Sequence, residues 1–316
     1  ASGGQQSYEE GIGQWKMEKK NAILGRAALL ATTFIWGSSF VILKRTLDSI
    51  PVLWVLAIRF GGAALLMAMI GFRELKKLDR HYLKYGVTLG VVLFASYVLQ
   101  TYGLVYTTPA KNSFLTATCC VIVPFLWWIF FKIRPDRYNV AAALICILGM
   151  ALVSFQGEMT VGIGDGLTML CGFFYALQII ITSRAVEERS VLLINVLQFT
   201  VVAVLCGIFA PFVSPFPRNA PVSAWLSIAY LCVMCTAVCF MLQGYGQKYT
   251  PPQSTAIILT LESVFGTAIS LIFYDEQITL RIALGFIMIF VSVIISETKL
   301  SFIQRRERLA VKQAEQ

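Results

Sequence analysis

Long apolar runs follow one another along almost the whole chain, and short polar segments separate them. A helix needs roughly 20 apolar residues to cross a bilayer core about 30 Å thick, and windows of about that length predict ten crossings. The pattern therefore predicts an all-α polytopic membrane protein with no soluble domain. The predicted crossings, numbered 1 to 10, are residues 22–43, 51–71, 82–104, 110–131, 138–155, 164–183, 190–213, 221–244, 251–273 and 279–298.

The composition agrees with this pattern. Of the 316 residues, 57% are hydrophobic and 14% are charged, whereas a soluble domain carries roughly a quarter charged residues. No nucleophile–base arrangement and no HExxH-type ligand pattern occurs in the sequence. We therefore expect no enzymatic activity, no cofactor and no metal.

The basic residues are distributed unevenly between the two sides of the membrane. If the N-terminus is cytoplasmic and the crossings alternate, twenty of the 26 Lys and Arg lie inside, five lie outside and Arg59 lies within the membrane. This asymmetry is the positive-inside signal. It predicts that both termini are cytoplasmic and that the protein lies in a cell membrane. The net charge of +9 then reflects membrane orientation and contact with anionic lipids, so we expect no nucleic-acid binding.

The segments at the two ends are expected to lie outside the functional part of the chain. Residues 1–16 lack the basic start and apolar run of a signal peptide. We interpret them as a disordered expression remnant, with Met17 as the native start, and residues 299–316 as a basic cytoplasmic tail. All eight cysteines fall in predicted crossings, which makes disulfides unexpected.

The chain contains an internal repeat. The segment 100–109 (QTYGLVYTTP) matches 243–252 (QGYGQKYTPP) at an offset of 143, and a weaker match at an offset of 139 aligns the segment 25–45 with 164–184. We assign 17–157 and 158–298 as two five-crossing repeats. Because five is odd, the second copy enters the membrane from the opposite side, as in carriers that work by alternating access.

Short Tyr-Thr-x-Pro stretches join crossings 3 to 4 and 8 to 9. Pro109 and Pro252 are pre-set for the first turn of a following helix. We expect each of these pairs of crossings to be a tight antiparallel hairpin.

Several motifs together resemble the drug/metabolite transporter superfamily, specifically the EamA-type permeases, from Met17 to about Ser296. Each motif alone is weak, but their order across ten crossings is specific. They are Trp36-Gly37-Ser38-Ser39-Phe40, Arg59-Phe60, Tyr106-Thr107-Thr108-Pro109-Ala110, Leu261-Glu262-Ser263-Val264-Phe265-Gly266, Asp275-Glu276-Gln277-Ile278-Thr279 and Gly285.

The resemblance implies two inverted five-helix repeats around a central cavity. Crossings 1, 3, 4, 6, 8 and 9 would line the cavity, with 5 and 10 at the periphery, and the solutes would be amino acids, other small metabolites or xenobiotics. One position departs from the internal symmetry, because Asp275-Glu276 before crossing 10 corresponds to Lys132-Ile133-Arg134-Pro135 before crossing 5.

Two ionisable residues lie deep in the apolar runs, Arg59 in crossing 2 and Glu262 in crossing 9. At about 1.5 Å of rise per residue, both are near the membrane midplane, where an isolated charge is unfavourable and needs a partner or water. Either they form a substrate or proton site, or they are a static packing pair. We favour a proton-exchanging, cavity-facing Glu262 that Arg59 tunes or supports.

Polar and aromatic residues project from the crossings that the resemblance places around the cavity. The repeat aligns Trp36 and Ser39 with Tyr175 and Gln178, and it aligns Gln100 with Gln243. A pocket of aromatic rings and amides suits a neutral or zwitterionic solute with an apolar part. The expected substrate-binding residues are Trp36, Ser39, Tyr97, Gln100, Tyr175, Gln178 and Gln243.

The sequence therefore predicts a secondary transporter for a small-molecule substrate, with an exporter of amino acids or related solutes as the first choice. An organic-cation exporter, with Glu262 and aromatic rings around the cation, is an alternative. A phosphorylated-sugar or nucleotide-sugar antiporter would need several cavity-facing cations, and only Arg59 is deep enough. The solute, the direction of flux, the coupling ion and the oligomeric state stay open.

Overall fold

A computed structural model describes residues 2–154, 162–274 and 280–298 of the chain. Within these residues the chain is helical and contains no strand, and a short 3₁₀ turn, Glu74–Lys77, follows the second helix. The long helices are α1 (Ser2–Leu47), α2 (Val52–Ile70), α3 (Arg80–Tyr106), α4 (Pro109–Phe131), α5 (Arg137–Ser154), α6 (Ile163–Ala185), α7 (Val191–Val213), α8 (Val222–Tyr249), α9 (252–274) and α10 (Leu280–Thr298).

Seven of these helices are long and apolar enough to cross a membrane: α1 from Lys20 onwards, α2, α3, α4, α6, α7 and α8. Helices α5 and α10 carry shorter apolar runs, Arg137–Gly149 and Ala283–Ser296, and α9 is interrupted near its middle. The predicted all-α polytopic membrane protein is confirmed.

Two tight hairpins occur where the Tyr-Thr-x-Pro stretches predict them. Helix α3 ends at Tyr106 and α4 begins at Pro109, with the Thr108 side chain accepting a hydrogen bond from the backbone N of Lys111 at 3.2 Å. In the second half, α8 ends at Tyr249 and α9 begins at Pro252. A proline in the first helical turn needs no backbone donor there, so each hairpin closes within two residues.

Both second helices of these hairpins are interrupted at equivalent points, which the apolar pattern does not predict. Helix α4 breaks at Ala117–Thr118 and α9 at Thr260, again 143 residues apart. At each break a threonine hydroxyl donates to a carbonyl three residues earlier, Thr118 to Leu115 and Thr260 to Ile257, both at 2.6 Å. Such back-bonding competes with the regular helical hydrogen bonds.

The helix packing follows the repeat. Helix α3 packs along α6, α1 packs along α8 and α9, and α5 and α10 pack mainly against each other. The last pair therefore lies at the edge of the bundle, where the family resemblance places it. The pairs α3/α6 and α8/α1 correspond to each other under the repeat.

Glycines set the closest approach in these two corresponding pairs. A Cβ on Gly164 of α6 would lie 2.8 Å from the carbonyl oxygen of Gly103 in α3, and a Cβ on Gly246 of α8 would lie 2.8 Å from that of Gly25 in α1. The sequence offsets of 143 and 139 relate the two contacts. One contact lies at the start of α6 and the other near the start of the apolar part of α1, so the alternating topology predicted from the sequence would put them at opposite membrane faces, as an inverted repeat requires.

Candidate functional site

A small cavity lies between five helices of the bundle. Its volume is about 10 Å³, which is room for about one water molecule, so the helices are closed around it in this conformation. Its lining combines aromatic, polar and ionisable side chains: Trp36, Ser39, Phe40 and Leu43 of α1, Arg59 of α2, Tyr97 and Gln100 of α3, Tyr175 of α6 and Glu262 of α9.

Seven of the nine predicted site residues therefore surround one space. The two that do not line it are Gln178 and Gln243, which hydrogen-bond to each other. Gln243 Nε2 donates to Gln178 Oε1 at 3.2 Å, and Gln178 Nε2 donates to Thr182 Oγ1 at 3.1 Å. Both glutamines are buried, and together they form a polar contact between α6 and α8 outside the cavity lining.

Arg59 is held in place from α8. The side chain is 2% exposed; its Nε donates to Thr236 Oγ1 at 2.6 Å and its Nη2 donates to the Cys235 carbonyl at 3.3 Å. Thr236 in turn donates to the Leu231 carbonyl at 2.8 Å. A guanidinium has five N–H donors, so these two bonds fix its position and leave donors for the cavity.

The segment of α8 that holds Arg59 is π-helical, at Val233–Val238. A π turn shifts backbone carbonyls out of the regular α-helical bonding pattern, and such turns are frequent at functional sites. The Cys235 carbonyl accepts from Trp36 Nε1 at 2.8 Å as well as from Arg59. This π segment therefore orients two lining residues at once, and the apolar pattern of α8 carries no signal for it.

Aromatic rings form the wall next to Arg59. The guanidinium carbon lies 5.0 Å from the centroid of the Tyr97 ring and 5.5 Å from that of Phe60. Tyr97 packs against Tyr175 with ring centroids 5.9 Å apart. Cation–π contacts in a dehydrated site contribute up to about 2 kcal/mol, and here they hold a cation without neutralising its charge.

Glu262 lines the same cavity, in the first turn after the break in α9. The side chain is 7% exposed, and among the described residues no hydrogen bond or ion pair engages its carboxylate. Arg59 and Glu262 thus share a cavity without forming an ion pair. A buried carboxylate without a partner is unfavourable in its charged form, so this site suits a proton or a ligand cation.

The end of the bundle near the α3–α4 hairpin is tied together by polar contacts. Lys111 Nζ lies 2.7 Å from Asp165 Oδ2, and Asp165 also accepts from Thr107 Oγ1 at 3.1 Å and from the Gly162 backbone N at 2.9 Å. Lys44 of α1 donates to the last carbonyls of α3, including that of Leu104 at 2.7 Å. These contacts join α4 to α6 and α1 to α3 on the side that the sequence predicts to be extracellular.

Comparison with known proteins agrees with this architecture. Residues 23–155 and 162–298 each match the EamA-like transporter family, so the family unit is duplicated across the chain.

The chain belongs to the EamA-like transporter family. An uncharacterized transporter from Archaeoglobus fulgidus is 31% identical over 268 residues, which cover 84% of this chain and 83% of that protein. The uncharacterized transporter YetK of Bacillus subtilis is 26% identical over 266 residues, 79% of each chain.

A solved crystal structure shares the fold of this EamA-like chain, with a TM-score of 0.73 over 91% of this chain and 98% of that one, at 13% identity. The family and these relatives indicate a multi-pass membrane transporter.

Proposed function

We propose that the protein exports small zwitterionic metabolites, with amino acids as the substrate class, across the cell membrane by alternating access. One observation supports this most strongly: a fixed cation, Arg59, and a carboxylate without a partner among the described residues, Glu262, line the same aromatic cavity. An amino acid carries the complementary pair, since its carboxylate suits the guanidinium and its ammonium suits Glu262.

The closed cavity has room for about one water molecule, so it represents a conformation without substrate. Binding requires the repeats to move apart, and the break in α9 at Thr260 lies two residues before the lining residue Glu262, where such movement would act on the site. Discontinuous helices at the site are a recurring feature of carriers with inverted repeats.

Glu262 would also couple export to protons. Its carboxylate can hold either a proton or the substrate ammonium, but not both. A substrate released outside is then replaced by an external proton, which is released inside after the site returns. The net step exchanges one substrate for one proton, without any covalent chemistry.

An organic-cation exporter is the second candidate, favoured by the aromatic rings around Glu262. Arg59 weighs against it, because a buried guanidinium repels a cation that lacks a carboxylate. A sugar-phosphate antiporter is weaker still, since Arg59 is the one cation among the described lining residues and a phosphate usually binds several.

Counterflow into proteoliposomes tests the proposal with three matched competitors: an aromatic amino acid, its decarboxylated amine and its deaminated acid. We expect the amino acid to compete best. Arg59→Gln should remove the advantage of the amino acid over the amine, and thermal unfolding in detergent should show that this variant is folded. Stronger competition by the amine in the wild type would instead identify a cation exporter, and competition only by a hexose phosphate would identify a sugar-phosphate carrier.

A further inference from the structure

A second, larger concavity lies on the bundle surface, away from the central cavity. It lies where α3, α4 and α6 come together at the end of the bundle opposite the α3–α4 hairpin, and both Tyr85 of α3 and Phe131 of α4 line it. This groove has a volume of about 740 Å³. The apolar part of its lining, here called the floor, consists of Phe130, Leu177, Ile180 and Ile181, and the charged part, here called the rim, consists of Arg184, Glu187, Glu188 and Arg189.

The rim arginines are held by aromatic rings. The Arg184 guanidinium lies 4.4 Å from the centroid of the Phe131 ring and 5.2 Å from that of Trp127, and the Arg189 guanidinium lies 4.7 Å from that of Tyr85. Stacking of this kind leaves the in-plane N–H donors of an arginine available for a phosphate. The Arg184 Nε is buried and makes no hydrogen bond in the structure.

The segment that carries the rim charges is fixed to α3. The backbone N of Ser190 donates to the Tyr82 hydroxyl at 3.0 Å, and Ser190 Oγ donates to Glu74 Oε2 at 2.9 Å. Arg184 and Glu187 form an ion pair at 3.2 Å, with 38% and 52% of their side chains exposed. The rim therefore presents two arginines and two glutamates in a defined position next to an apolar groove.

We propose that this groove binds a phospholipid with a zwitterionic amine headgroup, phosphatidylethanolamine being the matching chemistry. The phosphate would lie against Arg184 and Arg189, and the ammonium would donate to Glu187 and Glu188. One acyl chain would follow the apolar floor towards the hairpin. The groove is at the end that the sequence predicts to be cytoplasmic, so the lipid would come from the inner leaflet.

The balance of charge selects this headgroup over others. An anionic headgroup such as phosphatidylglycerol has no ammonium group to pair with Glu187 and Glu188, so the two carboxylates would repel it. A choline headgroup has no N–H donors for the carboxylates. Complementary charges across a contact mainly determine specificity, so the headgroup preference is the property to measure.

Native mass spectrometry of the full chain, in nanodiscs with equal phosphatidylethanolamine, phosphatidylglycerol and phosphatidylcholine, tests the proposal. We expect retained phosphatidylethanolamine to exceed the other two lipids. Arg184→Gln should lower its retention about fivefold, the upper range for a partly exposed ion pair. Replacing both glutamates, Glu187→Gln with Glu188→Gln, should shift the preference to phosphatidylglycerol. Arg73→Gln is the control, an exposed basic residue outside the groove, and should change nothing.

A photo-reactive side chain at Ile181, on the groove floor, should crosslink to phosphatidylethanolamine, whereas one at Leu170 on the same helix, which is 50% exposed, should label all lipids equally. Preference for phosphatidylglycerol in the wild type, or no change with the paired glutamate variant, would overturn the proposal. If inorganic phosphate in detergent protects the Ile181 probe as well as phosphatidylethanolamine does, the groove is an ion site and not a lipid site. A crosslink from Ile181 to a second copy of the chain would show an oligomer contact instead. The paired glutamate variant alters only exposed residues, so it keeps the test decisive if Arg184→Gln does not fold.

Discussion

Replacing Glu262 with glutamine removes one negative charge and preserves the size of the side chain. If the substrate ammonium binds this carboxylate, Glu262→Gln replaces a hydrogen bond between two charged groups with a weaker one to an uncharged amide oxygen. Hydrogen bonds to charged groups contribute about 1.5–3 kcal/mol and ordinary ones about 1 kcal/mol, so the loss is about 0.5–2 kcal/mol, and each 1.4 kcal/mol is tenfold in affinity. Affinity for an amino acid should therefore fall roughly 2- to 30-fold.

The same substitution should leave binding of the deaminated acid unchanged or improve it, because that ligand has no ammonium to lose. Titration calorimetry of both ligands on both proteins gives the coupling between Glu262 and the ammonium as a double-mutant cycle. Asp48→Asn is the matched control, because it makes the same carboxylate-to-amide change at an exposed residue outside the cavity lining. Equal weakening of both ligands by Glu262→Gln would refute the assignment of the ammonium to this carboxylate.

Further predictions concern coupling, packing, closure and topology. Glu262→Gln should abolish accumulation driven by a pH gradient while exchange persists at higher substrate concentration; unchanged pH dependence in a folded variant would exclude the proton role. Gly37→Ala places a Cβ 2.6 Å from Phe265 Cβ and should destabilise by about 1–3 kcal/mol, whereas Gly207→Ala, with open space around it, should not lower the unfolding temperature. Asp165→Asn removes the ion pair with Lys111 and should raise extracellular thiol labelling of Ser39→Cys severalfold; no increase would show that this contact does not hold the outer side closed. A cysteine at Ser214 should be labelled from outside and one at Lys77 should not, and the reverse result would contradict cytoplasmic termini.

The crossings and hairpins could be predicted from sequence because they depend on local signals. Apolar runs of sufficient length determine the helices, and Pro109 and Pro252 begin α4 and α9 within one or two residues of the predicted positions. Seven lining residues could also be predicted. The repeat indicated Trp36, Ser39, Gln100 and Tyr175, the family resemblance indicated Tyr97, and their charge within apolar runs indicated Arg59 and Glu262. Their role in substrate binding stays a proposal.

Other features depend on contacts between distant segments and could not be predicted. One partner of Arg59 is Thr236, which is 177 residues away and lies in a π-helical segment. The repeat aligns Gln178 with Ser39 and Gln243 with Gln100, which both line the cavity. The two glutamines instead hydrogen-bond to each other outside the cavity lining. At the breaks, the hydroxyls of Thr118 and Thr260 bond to backbone carbonyls three residues earlier. These side-chain hydrogen bonds do not alter the spacing of apolar residues, so the hydrophobic pattern does not predict the breaks.

Access to the cavity from each side of the membrane in turn is the property that the proposed alternating-access mechanism requires. Ser39 lines the cavity and is 8% exposed, so Ser39→Cys in sealed vesicles, treated with an impermeant thiol reagent from one side at a time, reports that access directly. The parent chain, whose eight free cysteines are buried or partly buried, provides the background. We predict labelling from either side and protection from both by an amino acid, but not by its amine. Labelling from a single side under every condition, or labelling that no solute blocks, would contradict the central claim.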